Sequence, residues 1–231
     1  LADQGLQQMD DGLLKPSKLP PERQAQLRAR FDALAGQIPP ALQRYPGYTP
    51  RLQLEFRSGL GANAFALPGG QVVMTDGLVQ AAAKQGLDDD ALVGVLAHEI
   101  GHVVHRHTTR MVVEQGVLQM GLGLALGDVS GVLSTGGALL TGLHYRRNHE
   151  READCFAIDL MRHAALPTAP MGTLLLAIAH DEDDAEGSQK SGASQPAPQK
   201  QGKAEAAHPI WSLLSSHPDT VERAHALQQG P

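Results

Sequence analysis

A single cysteine, Cys155, is all the thiol this chain carries, which excludes an intramolecular disulfide and any cysteine-based zinc knuckle. Set directly after Asp154 in an apolar stretch, it reads as a small core residue. Aromatic residues make up 3% of the sequence, so aliphatic side chains must supply most of the packing. Basic excess is missing too: the formal net charge is −6, which argues against nucleic acid as a partner. No apolar run reaches the roughly 20 uninterrupted residues of a bilayer span. The nearest candidate, Val117 to Leu143, is broken by many glycines and by Asp128. It reads as a helical hairpin without the basic amphipathic face of an interfacial anchor, which leaves peripheral membrane association open. There is no initiating Met and no basic-plus-apolar leader, so the chain reads as a processed or trimmed product. No internal repeat is present.

What is there is a chain of 231 residues, 42% of them hydrophobic, enough for one substantial core. Its most informative stretch is His98-Glu99-Ile100-Gly101-His102. On a helix, residues i and i+4 share a face, so His98 and His102 can bind one metal ion while Glu99 points beside it. Zinc hydrolysis needs that division of labour: the ion acidifies a water, and a carboxylate outside its coordination shell moves the proton. Context supports a helix. Asp88, Asp89 and Asp90 suit the N-cap and first turn, and Ala91 to Ala97 continue without proline into the motif, as a buried helix should.

A catalytic zinc site keeps three protein ligands and one open position. Downstream, Glu150-Arg151-Glu152-Ala153-Asp154 opens a second helical stretch that ends before Pro167. Glu150 and Asp154 share a face there, which suits Glu150 as third ligand and Asp154 as acceptor of the other ring N–H of a ligand His. Glu152 faces elsewhere and reads as a solvated charge. His144 and His149 flank Glu150 and are the alternative third donors. His105 and His107 read as structural or solvated, and His163, His180, His208 and His225 show no ligand spacing. Tyr145 reads as aromatic packing, the alternative being that it helps to polarise the substrate carbonyl.

Upstream, Arg51 to Arg57 alternates apolar and polar residues as a half-buried strand does, and Ser58-Gly59-Leu60-Gly61 offers a turn. A second strand spans about Ala62 to Leu67, turns at Pro68-Gly69-Gly70 and continues as Gln71 to Thr75, with Asp76 placed to cap a helix. Pro20 and Pro21 precede a helix from Glu22 to Leu34, with Leu27, Phe31 and Leu34 on its apolar side. Residues 1–19 lack a period and are expected to be flexible. Asp181 to Ala207, rich in Ser, Gln, Ala, Gly, Lys and acidic residues, are expected to form a mobile low-complexity loop. The domain reading is therefore one unit over 20–231, interrupted at 181–207.

Taken together, these residues carry a family resemblance. Leu96 to Val104, then Arg106-His107, Tyr145, Arg147 and Glu150-x-x-Ala153-Asp154, resemble the CAAX prenyl endopeptidase and HtpX superfamily of gluzincin metallopeptidases. Asn63 to Gly70 is similar to that family's hairpin before the zinc helix, and His217-Pro218 with Glu222-Arg223 to its C-terminal His-Pro element. Matching blocks run from about Leu52 to Leu227. The resemblance implies a mainly helical α+β, zincin-like domain with a small β-sheet whose edge strand borders the active-site cleft. It implies one Zn2+ per chain on His98, His102 and Glu150, with Glu99 as general base and acid.

The same resemblance points to Asn63, Ala64, Phe65 and Ala66 as an edge that holds substrate as an added strand; the alternative is a packed hairpin. His217 and Arg223 are brought toward the metal, Arg223 to stabilise an oxyanion or His217 to fill the open zinc position at rest. The alternative there is that His217 caps a helix and Arg223 pairs with Glu222. The implied function is a zinc endopeptidase acting on unfolded or misassembled proteins, in the periplasm or cell envelope of a bacterium. A chaperone or assembly factor with an occluded metal site is the alternative. Missing spans count against a membrane-embedded prenyl-type protease, and nothing in the sequence specifies an oligomeric state.

Overall fold

The computed structural model describes residues 6–126 apart from 8, together with 147–190, 217 and 219–229. Its strands are β1 (Lys15–Pro16), β2 (Gln53–Ser58), β3 (Ala64–Ala66) and β4 (Gln71–Thr75). The described helices are α1 (Pro21–Ala35), α2 (Asp76–Lys84), α3 (Asp89–Val104), α4 (His107–Leu126), α5 (Arg147–His163), α6 (Ala169–Lys190) and α7 (Thr220–Gln229). The chain is thus mainly helical with a small mixed sheet, an α+β architecture.

Sheet order is β1-β2-β4-β3, with β2 and β4 parallel and the outer pairs antiparallel. Although Ser58 to Gly61 offers a turn, β2 lies against β4 and not against β3. Burial explains the order. All five residues of β4 are buried, so it occupies the centre, whereas β2 buries only Leu54 and Phe56. The hairpin from β3 to β4 turns through Gly69 and Gly70 at φ of 106° and 110°. A Cβ on Gly70 would collide with the carbonyl of Arg51, so only glycine fits.

Residues 1–19 are not a flexible tail where the structure describes them. Leu6, Met9 and Leu14 pack with Leu60, Leu67 and Val73 over one face of the sheet, and β1 pairs with β2. The opposite face meets α1, α2 and α3 through a core that includes Leu27, Phe31, Met74, Leu92 and Leu96. Thr75 caps α2, its Oγ1 accepting from the Leu78 amide at 3.3 Å. Asp76, expected as that cap, accepts instead from Ser17 Oγ at 2.5 Å and the Lys18 amide at 2.6 Å, which ties down the N-terminal segment.

Every residue of α3 from Ala91 to Val104 is buried. Asp88 is its N-cap, accepting from the Asp90 amide at 3.1 Å. The Asp89 carboxylate lies in the first turn, where it opposes the helix's positive end, and Arg23 clamps it with two hydrogen bonds of 2.8 and 2.6 Å that fix α1 on α3. Against α3 lies α5. A Cβ on Gly101 would stand 3.1 Å from Ala153 Cα, so glycine lets the two backbones approach just where their polar residues meet.

Two other expectations are corrected. The loop expected over 181–207 begins later, because α6 continues through Asp181 to Lys190; residues 191–207 lie outside the described residues. Cys155 is exposed, not core: it lines a cavity of about 310 Å³ with Arg147, Arg151 and Arg223. The first arm of the expected hairpin over Val117 to Leu143 is helical to Leu126, and the remainder lies outside the described residues. Among the described residues no helix is long and apolar enough to cross a membrane.

Candidate metal centre

His98 and His102 project from one face of α3 with their Nε2 atoms 2.9 Å apart. The first turn of α5 sets Glu150 against both, Oε1 at 3.2 Å from His102 Nε2 and Oε2 at 3.4 Å from His98 Nε2. His217 enters just before α7, its Nδ1 3.1 Å from each Glu150 oxygen and 3.4 Å from His98 Nε2. Thr220 Oγ1 donates to the His217 carbonyl at 2.5 Å and fixes that entry. The four side chains are buried, and each offers a donor atom within 4.8 Å of the others.

Behind His98 stands Asp154, one helical turn beyond Glu150. His98 Nδ1–H donates to Asp154 Oδ1 at 2.9 Å, which leaves Nε2 toward Glu150 and His102. Arg223, from α7, binds Asp154 with Nε at 2.6 Å and Nη2 at 2.7 Å. Its Nη1 pairs with Glu150. Arg223 therefore clamps two carboxylates, Glu150 and Asp154, rather than Glu222.

His102 is backed differently. Its Nδ1 lies 2.9 Å from His107 Nδ1, and His107 Nε2–H donates to Glu152 Oε2 at 3.0 Å. Neither His107 nor Glu152 was expected here. Arg106 sits at φ 56°, so α3 stops, the chain reverses and α4 begins by returning His107 to His102. His107 is fully buried and stacks on His149 at 4.3 Å between ring centroids. His149 is thus not in the donor cluster that holds Glu150, and His144, Tyr145 and His208 lie outside the described residues. Glu152, expected as a solvated charge, is tied to His107.

Charge follows position. Burial alone would raise Glu150, but the His217 and His98 imidazoles hold it far below the ordinary carboxylate range. Asp154, against its burial, is held low by Arg223 and His98. Burial opposes the charge of His98, but Glu150 and the hydrogen bond to Asp154 together push it up to about 9. Burial pushes His102 well down, and burial with His102 as neighbour takes His107 down to about 3. Glu99 is raised, chiefly by burial.

The donor set fits a divalent cation. Arg223 binds Glu150 and Asp154 and feels the charge of Glu99; with the imidazoles neutral, as metal ligation requires, the three carboxylates exceed this one guanidinium by two negative charges. Both Glu99 oxygens are buried without a hydrogen-bond partner; His217 Nε2 stands 3.4 Å from Oε1. Buried anions of this kind require a compensating cation. Two imidazoles and a carboxylate from two helices are also a common protein donor set for zinc.

Beside this cluster runs β3. The Thr75 amide donates to the Asn63 carbonyl and the Leu67 amide to the Gln71 carbonyl, so by antiparallel alternation the main-chain groups of Ala64 and Ala66 face away from β4. Ala64 O lies 3.4 Å from His217 Nε2, and Ala66 O accepts from Thr108 Oγ1 at 3.0 Å. Asn63, Ala64 and Ala66 are buried and Phe65 is half-buried. The sheet's edge thus meets the donor cluster directly.

A mainly helical α+β chain with such a donor set between two helices belongs among the metallopeptidases. Residues 21–230 match peptidase family M48, and the chain belongs to that family of metal-dependent peptidases. It is similar to the mitochondrial metalloendopeptidase OMA1 of Saccharomyces cerevisiae, with 34% identity over 105 residues, 44% of this chain and 29% of the yeast protein. The OMA1 of Schizosaccharomyces pombe shows 34% identity over 118 residues, 48% of this chain and 33% of that protein. A protein of Vibrio cholerae described as a beta-barrel assembly-enhancing protease shows 30% identity over 122 residues, 47% of this chain and 24% of its own length. The matched stretches thus cover between 24% and 33% of these curated relatives.

Proposed function

We propose that this chain is a zinc-dependent endopeptidase of zincin-like fold that cleaves unfolded or misassembled proteins in the cell envelope. The observation that carries the reading is the buried Glu99 carboxylate, without a hydrogen-bond partner, beside a cluster of two imidazoles and Glu150. His98, His102 and Glu150 hold the zinc. When bound, it supplies Lewis acidity and a water acidified toward neutrality. Glu99, its proton affinity raised by burial, takes the proton of the attacking water and passes it to the leaving amine nitrogen. Asp154 keeps His98 in the Nδ1–H tautomer, and Arg223 keeps Asp154 and Glu150 in place.

Substrate lies extended along β3, main chain against the outward groups of Ala64 and Ala66. His217 is the fourth donor of the resting site and must yield its place, and its contact with Ala64, as substrate enters. The names of the relatives, mitochondrial metalloendopeptidases and a beta-barrel assembly-enhancing protease, support an envelope setting and misassembled protein as substrate. Position 217 also favours a second reading, a chaperone that holds polypeptide on β3 while His217 keeps the centre closed.

Unfolded casein separates the two. Chelator-sensitive fragments are expected from the wild type with zinc, whereas binding without cleavage supports the chaperone. Glu99→Gln should retain zinc and lose cleavage by at least 10²-fold, the size of a general-base contribution. Near-wild-type turnover by that variant would remove Glu99 from its assigned role.

A further inference from the structure

His107 and Glu152 lie outside the ligand set, yet they form a continuous chain of hydrogen bonds that ends on one ligand. The chain has a direction. Glu152 is a carboxylate and can only accept, so His107 presents Nε2–H to it at 3.0 Å. A neutral imidazole protonated at Nε2 has its lone pair on Nδ1. Of the two Nδ1 atoms 2.9 Å apart, His107 therefore accepts and His102 donates. The remaining lone pair of His102 is then at Nε2, the atom 3.2 Å from Glu150 Oε1 and 2.9 Å from His98 Nε2.

We propose that His107 and Glu152 are positioning residues that set the tautomer of His102 through two successive hydrogen bonds, and so prepare its Nε2 for the metal. Without Glu152 the His107 ring is free to protonate Nδ1 instead. His102 must then accept at Nδ1 and carry its proton on Nε2, where it blocks the ligand position. The stacked ring of His149, 4.3 Å from His107 and inclined by 12°, keeps His107 in the plane that both hydrogen bonds need. His105 and Arg44 also approach Glu152, at 4.0 and 3.8 Å, and hold its carboxylate on this side of α5.

This rests on the reading of His98, His102 and Glu150 as zinc ligands, so the test separates the two. Zinc affinity of the purified chain is measured by competition with a chromophoric chelator, and the His102 tautomer by nitrogen-15 histidine NMR of the zinc-loaded protein. His107→Leu and Glu152→Leu are expected to lose zinc affinity by about 10- to 100-fold, the range for such outer partners. His107→Asn, whose amide oxygen can still accept from His102 Nδ1–H, and Glu152→Gln, which can still accept from His107, should stay within a few fold of wild type. Loss of a hydrogen bond that served packing alone would not be rescued in this pattern. Glu152 is one-third exposed, so its variants keep the test open if His107→Leu does not fold. Unchanged affinity in both Leu variants, or two ions per chain with one on His105, His107 and Glu152, would each overturn the relay while leaving the centre standing, whereas a His102 protonated at Nε2 would remove both. Absence of zinc binding by the wild type would remove both.

Discussion

The two imidazoles of α3 reach the same tautomer by different routes. His98 rests directly on a carboxylate, Asp154, which is itself gripped by Arg223 within the interior. His102 rests on another imidazole, and its carboxylate, Glu152, stands a ring further out, one-third exposed. The difference comes from where α5 lies. Glu150 and Asp154 share the face that α5 turns toward α3, while Glu152 points along its flank and needs His107 to bridge the distance. A carboxylate in low dielectric acts strongly, and one near water acts weakly, so the His98 arm should carry more of the site's order.

The largest expected effect breaks that inner arm. Asp154→Ala should cost about 100-fold in zinc affinity, the upper end for an outer partner, because it frees the His98 ring and deprives Arg223 of its bidentate partner together. Glu152→Leu on the outer arm should cost nearer 10-fold. Chelator competition on the two variants side by side measures the ratio, and an outer arm costing more than the inner one would reverse the comparison.

A smaller effect perturbs both arms at once. At Gly101, between His98 and His102 along α3, an added Cβ meets Ala153 Cα at 3.1 Å and Phe156 Cβ at 3.2 Å. Gly101→Ala should force α3 and α5 apart and destabilise the fold by about 2 kcal/mol, read as a lowered melting temperature. Zinc affinity should fall with it, because Glu150 and Asp154 retreat together; an unaltered melt would show that the helices have room to spare.

Legibility of this site in the sequence divides along the same line. The inner arm could be read because helical spacing alone joins His98 to His102 and Glu150 to Asp154. Asp88 to Asp90 and the unbroken apolar run fixed the start and burial of α3. The outer arm could not be read so, since it depends on a reversal at Arg106, where φ is 56° and no glycine or asparagine signals the turn. Taken as one continuous helix, the segment sends His107 away from His102. Strand order was hidden for a similar reason: alternation in β2 reports one buried face and not which neighbour it pairs with. Leu6, Met9 and Leu14 fall in a stretch with no sustained period, and only the exposed face of the sheet gave them a surface to cover. Cys155 looked internal from its apolar neighbours, whereas its angular position on α5 turns it outward.

The smallest expected effect sharpens the comparison through pH, in protein stripped of metal. His98 sits at about 9 in the fold against an ordinary 6.5, so between those values the native state holds more protons than the unfolded chain. Its contribution is complete below 6.5 and is lost as pH rises toward 9. His107 sits at about 3 against 6.5, so there the unfolded chain holds more protons, and its contribution is complete above 6.5 and is lost as pH falls toward 3. The inner arm thus weakens on the alkaline side and the outer arm on the acid side. Melting temperatures of chelator-treated protein from pH 4 to 9 should show both limbs. His107→Asn should make only the acid limb shallower, since the depressed His102 and His105 also feed it, and Asp154→Ala, which removes a hydrogen bond that supports the charged His98, should make only the alkaline one shallower. A single variant that flattened both limbs would mean that the two imidazoles titrate as one unit, and that the arms are not separable in the way their geometry indicates.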